Sequence, residues 1–425
     1  MTEIQIIQVG DIHFPSASKE EVALDDKDPS FPFVLKGILS RQKLKTVFKS
    51  IYAELNKGNV TSIVFMGDFT DLGKTDGFDA CLKYITEALE LQSGQRHRNI
   101  VSGFVPGNHD IDRSLATNGS LDAKFVPLEK LARKHGISNF PTRKVITRKL
   151  SVEGKCGTVN LQLLNSCWGC GEPEHIPEPF KTEISKVIKR LLSRKSDKDE
   201  NLEKYYNRQF DSPAFNAKDI QTVTTKVADA AHDSVSVLCA HHNILPQAVT
   251  RLAPYTELVN SGAFRSAILG TNKCTLYLHG HIHEDPIEII SNGRGGKIIS
   301  VSAPDVLKGY NIIRIKFDDT GIPYSCNIEP VRFNESGMLG NEAALDYTLS
   351  TGTSRPNTKA QSKVLAEIIR KQAVHWQDLA KFVKKDNLIT HDSKLVELLE
   401  VLQAGQKISI HNKESPHEQW LIIGI

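Results

Sequence analysis

Ile4-Gln5-Ile6-Ile7-Gln8-Val9-Gly10-Asp11-Ile12-His13 is an apolar run of strand length that stops at a glycine and gives way to an aspartate and a histidine. That is the pattern of a buried strand ending in a polar loop. The same figure recurs along the chain. Val60–Met66 runs into Gly67-Asp68, Ile100–Val105 into Pro106-Gly107-Asn108-His109-Asp110, Val235–Ala240 into His241-His242, and Thr275–Leu278 into His279-Gly280-His281-Ile282-His283. Between these runs, Arg41–Leu55, Phe78–Leu91, Leu121–Lys134 and Ala217–Ala231 carry apolar residues at mixed spacings of three and four, the helical period. Strands alternating with helices predict an α/β layered domain with its functional groups in loops beyond the strand ends.

Outward from this core the rhythm changes. From Lys297 to Val331 strand follows strand, with alternation in Ile298–Val301, Ile312–Phe317 and Tyr324–Ile328, which predicts a second, more antiparallel sheet completing a domain over residues 1–335. Pro15–Phe33, rich in Asp, Ser and Pro and placed directly after the first polar loop, is expected to act as a lid or substrate-facing loop. Residues 172–212 open with Pro173, Pro177 and Pro179 and continue as the mixed-charge stretch Lys181–Arg194, expected to be a solvated helical insertion. Residues 336–357 are expected to form a linker, because Ser350-Thr351-Gly352-Thr353-Ser354-Arg355-Pro356-Asn357 is nearly all turn-forming. Beyond it, residues 358–425 show helical runs Ser362–Gln372, His375–Lys384 and Asp392–Gln403, then strand-like Lys407–His411 and Trp420–Ile423. That outline is a small winged-helix-like α+β module, a kind that binds DNA or proteins, and it is nearly charge-balanced.

Composition bounds the function. Of 425 residues, 40% are hydrophobic and 24% charged, which excludes a disordered or fibrous chain. Lys and Arg number 53 against 50 Asp and Glu, and a formal charge of +3 gives no support to a dedicated polyanion binder. The seven cysteines are odd in number and unevenly spaced, so a disulfide framework is not expected and a reducing compartment is. Met1–Gly10 lacks the charged and apolar regions of a signal peptide, and no run reaches the roughly 18 apolar residues of a membrane helix. The expected location is the cytoplasm, with no membrane partner.

The strand-end loops matter jointly. Asp11-x-His13, Gly67-Asp68-x-x-Asp71, Gly107-Asn108-His109-Asp110, His241-His242 and Gly280-His281-x-His283 each supply Asp, Asn or His, a mixed N/O donor set suited to borderline divalent ions. A two-metal site needs one shared carboxylate, and Asp68 is the natural bridge. Two ions about 3.5 to 4 Å apart hold a bridging hydroxide as nucleophile and clamp a phosphoryl group for in-line displacement, which is phosphoester hydrolysis.

The order and spacing of these loops resemble the calcineurin-like metallophosphoesterase superfamily, whose series D-x-H, G-D-x-x-D, G-N-H-[DE], H and G-H-x-H is matched over roughly residues 4 to 330. The resemblance implies a layered sandwich of two mixed sheets flanked by helices and two divalent ions, Mn²⁺, Fe²⁺ or Zn²⁺, with Mn²⁺ favoured for activity. It implies that Asp11, His13, Asp68 and His283 hold one ion and Asp68, Asn108, His241 and His281 the other. His109 would be the catalytic acid, hydrogen-bonded to Asp71, and a carboxylate-held histidine has the chemistry to protonate a leaving oxygen. His242 would line the pocket as a substrate-binding residue. His279 is expected to be structural, and Asp110 to support the Asn108 loop.

Gly67-Asp68-Phe69-Thr70-Asp71-Leu72-Gly73, Leu163-Leu164-Asn165-Ser166, Ala240-His241-His242-Asn243-Ile244-Leu245-Pro246 and Gly309-Tyr310-Asn311 look like the class III cyclic-nucleotide phosphodiesterase group. Asn165 and Asn243 depart from it, standing where that group usually has Asp and Pro. The expected activity is therefore a phosphodiesterase acting on a nucleotide or other phosphate diester. Two alternatives share the sequence: an Mre11-type DNA or RNA nuclease working with a partner, and a regulatory or adaptor protein whose C-terminal module binds DNA or another protein while the phosphoesterase domain acts as sensor. Cys167-Trp168-Gly169-Cys170 has no second cysteine pair, so neither a zinc nor a redox role is expected of it. Asn292–Gly296 lacks a P-loop's context and is expected to be a hairpin turn.

Overall fold

The computed structural model describes residues 2–15, 31–35, 43–112, 115, 122–152, 154, 156–170, 179–192, 212–246, 258–284, 286–349, 359–405, 407–413 and 415–425. The first strand, β1 (Thr2–Val9), shows why two sheets form: Ile4 and Ile6 point to one face, Ile7 and Val9 to the other, and all four are buried. A strand apolar on both faces must be covered on both. With β2 (Val60–Phe65) and β3 (Val101–Phe104) it makes the parallel part of the first sheet. The second sheet is built on β4 (Ile146–Ser151), β5 (Thr158–Leu163), β6 (Ser234–Cys239), β7 (Cys274–His279), β8 (Ile287–Ser291) and β9 (Lys297–Ser302), in the order β4-β5-β6-β7-β9-β8. β5, β6, β7 and β9 run parallel, and β4 and β8 are antiparallel edges.

The expected second, antiparallel sheet over Lys297–Val331 is not what forms. β9 pairs parallel with β7 in the second sheet, whereas β10 (Gly309–Phe317) crosses over to pair antiparallel with β1 and is followed by β11 (Pro323–Phe333). The turn Pro304–Lys308 between them, with Val306 buried in the core, carries the chain from one sheet to the other, so the alternation was correct but the partner strand was not. Residues 336–349, expected as linker, contain β12 (Leu339–Asn341) and β13 (Leu345–Thr348), both paired with β11. The first sheet thus has seven strands, ordered β12-β11-β10-β1-β2-β3 with β13 also on β11.

Packing is in four layers. Leu44, Val47, Phe48 and Ile51 of α1 (Lys43–Asn56) and Phe78, Leu82 and Ile85 of α2 (Thr75–Ala88) cover the Ile7/Val9 face, together with Leu128 and Ala132 of α3 (Val126–Lys134). The two sheets face each other through Ile4, Ile6, Val64, Leu161, Val237, Leu276, Ile299 and Ile313. Val223, Val227, Phe264 and Ile268 from the helices Ala217–Ala228 and Ser261–Gly270 close the far face of the second sheet. Gln8 is a buried polar residue between the sheets, and its Nε2 donates to the carbonyls of His279 and Val301, both at 3.1 Å, pinning β1 to β7 and β9 just below the strand ends.

Of the expected lid, residues 16–30 lie outside the described residues, as do residues 172–178 and 193–211 of the insertion, where α4 (Lys181–Leu192) is the helix that was expected. Residues 350–358 of the linker also lie outside them. The C-terminal module folds as helix Lys359–Lys371, β14 (Ala373–His375), helices Trp376–Lys385 and Asp392–Ala404, β15 (Ile408–His411) and β16 (Leu421–Gly424). Its sheet order is β14-β16-β15, with β14 an unexpected third strand, and its core gathers Val364, Ile368, Trp376, Leu379, Leu399 and Ile422. It meets the first sheet through Glu400, whose carboxylate accepts from Lys316 Nζ at 2.9 Å and Tyr324 OH at 3.1 Å. Among the described residues no helix is long and apolar enough to cross a membrane.

Candidate metal centre

The parallel strands of both sheets end at the same edge, and that geometry gathers the polar loops. Asp11 and His13 follow β1, Asp68 follows β2, Asn108 and His109 follow β3, His241 follows β6, and His281 and His283 follow β7. Backbone hydrogen bonds lock neighbouring loops together: the Ile12 and His13 amides donate to Asp68 O at 3.0 and 2.8 Å, and Gly280 N donates to His241 O at 3.0 Å. His13, Asp68, His281 and His283 all have positive φ, 48°, 51°, 70° and 56°. For non-glycine residues such backbone costs on the order of 1–3 kcal/mol each and persists where the surroundings enforce it. Here it turns four donor side chains into one cavity. Gly107 is required by proximity, since a Cβ there would lie 2.1 Å from Asp68 Oδ1.

Asp68 is the hub. Its Oδ1 accepts the His109 amide at 2.9 Å, and its Oδ2 lies 3.3 Å from His241 Nε2 and 3.9 Å from His13 Nε2. His241 Nδ1 faces the Met66 carbonyl at 2.6 Å and its Nε2 faces Asn108 Oδ1 at 2.9 Å. Asp11 accepts the His281 amide and lies 3.5 Å from His241 Nδ1 and 3.8 Å from His283 Nε2. Ligand atoms of Asp11, Asp68 and His241 fall within 4.8 Å of one another, as do those of His13, Asp68 and His283, and those of His241, His242 and His281. Asp68 is common to the first two groups.

The electrostatics suit a cation. Asp11 and Asp68 are 0% and 1% exposed. Burial pushes the Asp11 carboxyl up against the opposing pull of His241. For Asp68 burial acts the same way, but the His241, His109 and His13 imidazoles outweigh it and hold the carboxyl well below its ordinary range. Burial disfavours charge on His13, yet the Asp71 hydrogen bond and the Asp68 and Asp11 carboxylates raise it to about 9. His281, by contrast, is held well below the ordinary imidazole range by burial and the neighbouring His241. Carboxylate oxygens facing several imidazole nitrogens are a donor set for divalent metal, and two buried carboxylates are the charge such ions neutralise.

All seven expected ligands, Asp11, His13, Asp68, Asn108, His241, His281 and His283, converge here. Asp71, expected at His109, has its Oδ1 2.8 Å from His13 Nδ1. The His109 ring stands edge-on to His13 with centroids 5.1 Å apart. His242, expected to face substrate, is 1% exposed with Nδ1 2.8 Å from Ser166 Oγ. His279 is buried and pushed down to about 4 by burial, and Nδ1 lies 3.1 Å from Gly280 O. Asp110 accepts the Thr70 and Gly107 amides at 3.1 and 2.8 Å, bracing the Asn108 loop. Two residues were not anticipated: Asp305, 3.9 Å from His283 Nδ1, and Lys308, whose Nζ donates to His283 O at 2.7 Å. The signal was there in Ile298–Ser302, another apolar strand ending in a polar loop.

The sequence profile of the calcineurin-like phosphoesterases matches residues 4–285. No curated protein matches the chain. Among solved structures, a dimetal phosphatase from Danio rerio is 12% identical, covering 82% of this chain and 99% of its own, with a TM-score of 0.45. A 5'-nucleotidase precursor from Thermus thermophilus is 13% identical over 82% of this chain and 55% of its own, with a TM-score of 0.38. A phosphopantetheinyl hydrolase from Mycobacterium tuberculosis is 15% identical over 72% and 90%, with a TM-score of 0.33.

Proposed function

The chain belongs to the calcineurin-like phosphoesterase family, and on that premise we propose that it is a binuclear-metal phosphodiesterase hydrolysing a nucleotide or another phosphate diester. The observation that carries the two-metal reading is the position of Asp68 in both ligand groups, with one carboxylate oxygen facing His241 on one side and His13 on the other. Asp11, His13, Asp68 and His283 would hold one ion, and Asp68, Asn108, His241 and His281 the second. When bound, the ions supply Lewis acidity and charge neutralisation at the phosphoryl group.

The protein's own groups complete the chemistry. His109 is fixed from behind by its amide on Asp68 Oδ1, and its ring is the general acid for the leaving oxygen. Asp71 anchors His13 Nδ1, which fixes that ring and leaves Nε2 toward Asp68, the usual arrangement of a carboxylate behind a metal-binding imidazole. His283, 42% exposed, and half-buried His13 mark the open side of the centre, where substrate enters. The preference for a diester is supported by the motif surroundings Gly67–Gly73, Ala240–Pro246 and Gly309–Asn311. The mixed N/O donors suit Mn²⁺, and seven unevenly spaced cysteines, odd in number, support a reducing compartment such as the cytoplasm.

The test is hydrolysis of bis(p-nitrophenyl) phosphate against p-nitrophenyl phosphate by the Mn²⁺-reconstituted chain, with Asp68→Asn as control. Preferential diester cleavage that the substitution abolishes is the expected result. Equal or faster monoester cleavage would refute the diester preference, and no cleavage of either by the metal-loaded chain would refute the assignment.

A further inference from the structure

A structural zinc site takes four donors, and in the sequence Cys167-Trp168-Gly169-Cys170 has no second pair to join it. The fold brings a histidine instead. The two cysteines flank a tight turn closed by a hydrogen bond from the Cys170 amide to the Cys167 carbonyl, 3.1 Å, and both side chains are 0% exposed. Their sulfurs and a ring nitrogen of His242 all lie within 4.8 Å of one another. We propose that Cys167, Cys170 and His242 form a separate zinc site behind the Asp68-centred cavity.

The chemistry of the donors selects the ion. Two thiolates and an imidazole favour Zn²⁺ over the hard ions that carboxylate and carbonyl oxygens favour. Two thiolates also balance a dication, so the loaded site is neutral, and a neutral group is tolerated in a buried position where an isolated charge is not. Binding forms two S–Zn bonds while two thiol protons leave to the buffer, with no change of oxidation state. Lys124 is buried beside the pair, and its ammonium donates to Trp168 O at 2.6 Å and Cys170 O at 3.0 Å. Ser166 Oγ, 2.8 Å from His242 Nδ1, fixes the imidazole as partners of metal-binding histidines do.

The placement gives the site a purpose. Cys167 Sγ lies 3.3 Å from Pro106 O, and Pro106 leads directly into Gly107, Asn108 and His109. His242 directly follows His241. An ion held by these residues joins the turn after β5 to the end of β6 directly beside His241, replacing the hydrogen bond that the Cys167 thiol donates to Pro106 O in the metal-free chain. These side chains supply three of the four positions of a tetrahedral zinc.

Cobalt is the probe that separates this site from the oxygen- and nitrogen-ligated centre, because only thiolate ligation gives a near-ultraviolet charge-transfer band. The full chain is stripped with a chelator under reducing conditions and titrated with Co²⁺. Expected is a charge-transfer band that saturates at one thiolate-bound cobalt per chain, is displaced by Zn²⁺, is retained in Asp68→Asn and is lost in Cys167→Ser and Cys170→Ser. No band in the unsubstituted chain at saturating cobalt would overturn the proposal, as would a band that survives the double cysteine substitution. Should the serine variants not fold, alkylation of the unsubstituted chain with peptide mapping decides: zinc must slow modification of Cys167 and Cys170, and equal rates with and without zinc overturn the site.

Discussion

Replacing Gly107 by alanine perturbs the centre through a single methyl group. The φ of Gly107 is −100°, a value open to any residue, so alanine meets no conformational penalty of its own. The obstacle is space: the added Cβ would sit 2.1 Å from Asp68 Oδ1 and 2.2 Å from Asp68 N, where an ordinary contact is about 3.5 Å. Relief therefore demands a shift of more than about 1 Å in the residue common to both ligand groups, and a 1 Å misplacement costs about 10²-fold in rate. We expect kcat/KM on a diester to fall about 10²-fold, equivalent to about 2.7 kcal/mol, and the fold to lose about 1–3 kcal/mol through overpacking. Initial rates, bound-metal content and denaturant midpoints of the Mn²⁺-loaded variant are the assay. The control is Gly262→Ala, in the helix Ser261–Gly270, where a Cβ would meet nothing within 4 Å; it should be neutral or stabilising by up to about 1 kcal/mol. A Gly107→Ala enzyme with unchanged turnover and unchanged metal content would refute the packing that places Asp68 at the centre.

Other substitutions probe separate parts of the fold. Asp71→Asn removes the carboxylate behind His13 and should weaken one of two Mn²⁺ equivalents about 10- to 100-fold in calorimetric titration; two unaltered affinities would count against that role. Asp79 of α2 is held below the usual carboxylate range by hydrogen bonds from Lys134 and His135. Its contribution is therefore present above the unfolded pKa, about 3.9, and lost as pH falls through the lower folded value. Because the pair is partly exposed, Asp79→Asn should cost under about 1 kcal/mol at neutral pH, with the difference from the parent shrinking in unfolding curves as pH falls below the unfolded value. A difference that grows in acid would contradict the assignment. Glu400→Ala leaves Lys316 and Tyr324 without their shared acceptor where the C-terminal module meets the first sheet, and should cost about 1–3 kcal/mol in urea unfolding. An unchanged midpoint would mean that this contact carries no stability.

The strand-end pattern was legible because it is local. An apolar run such as Ile4–Val9 must be buried on both faces, and the polar step after it must turn where the sheet stops, so the placing of Asp11, Asp68, Asn108, His241 and His281 in loops at strand ends could be read one loop at a time, and their shared chemistry from the set. The helices of the C-terminal module were equally visible in their period, to within a few residues at their ends. Pairing is not local. The alternation of Lys297–Val331 is the same whichever sheet receives it, and only the crossover at Pro304–Lys308 separates β9 from β10. β12 and β13 are three and four residues long, too short for a periodicity to stand out, and exist through their hydrogen bonds to β11. Side-chain partnership is the other thing that only the folded chain decides. Nothing in the order of residues announces that Asp71 will stand against His13, or that a histidine seventy-two positions after a single C-x-x-C step will come within coordinating reach of it; both meetings follow from which strands pair side by side, β1 with β2 and β5 with β6, and not from spacing along either strand.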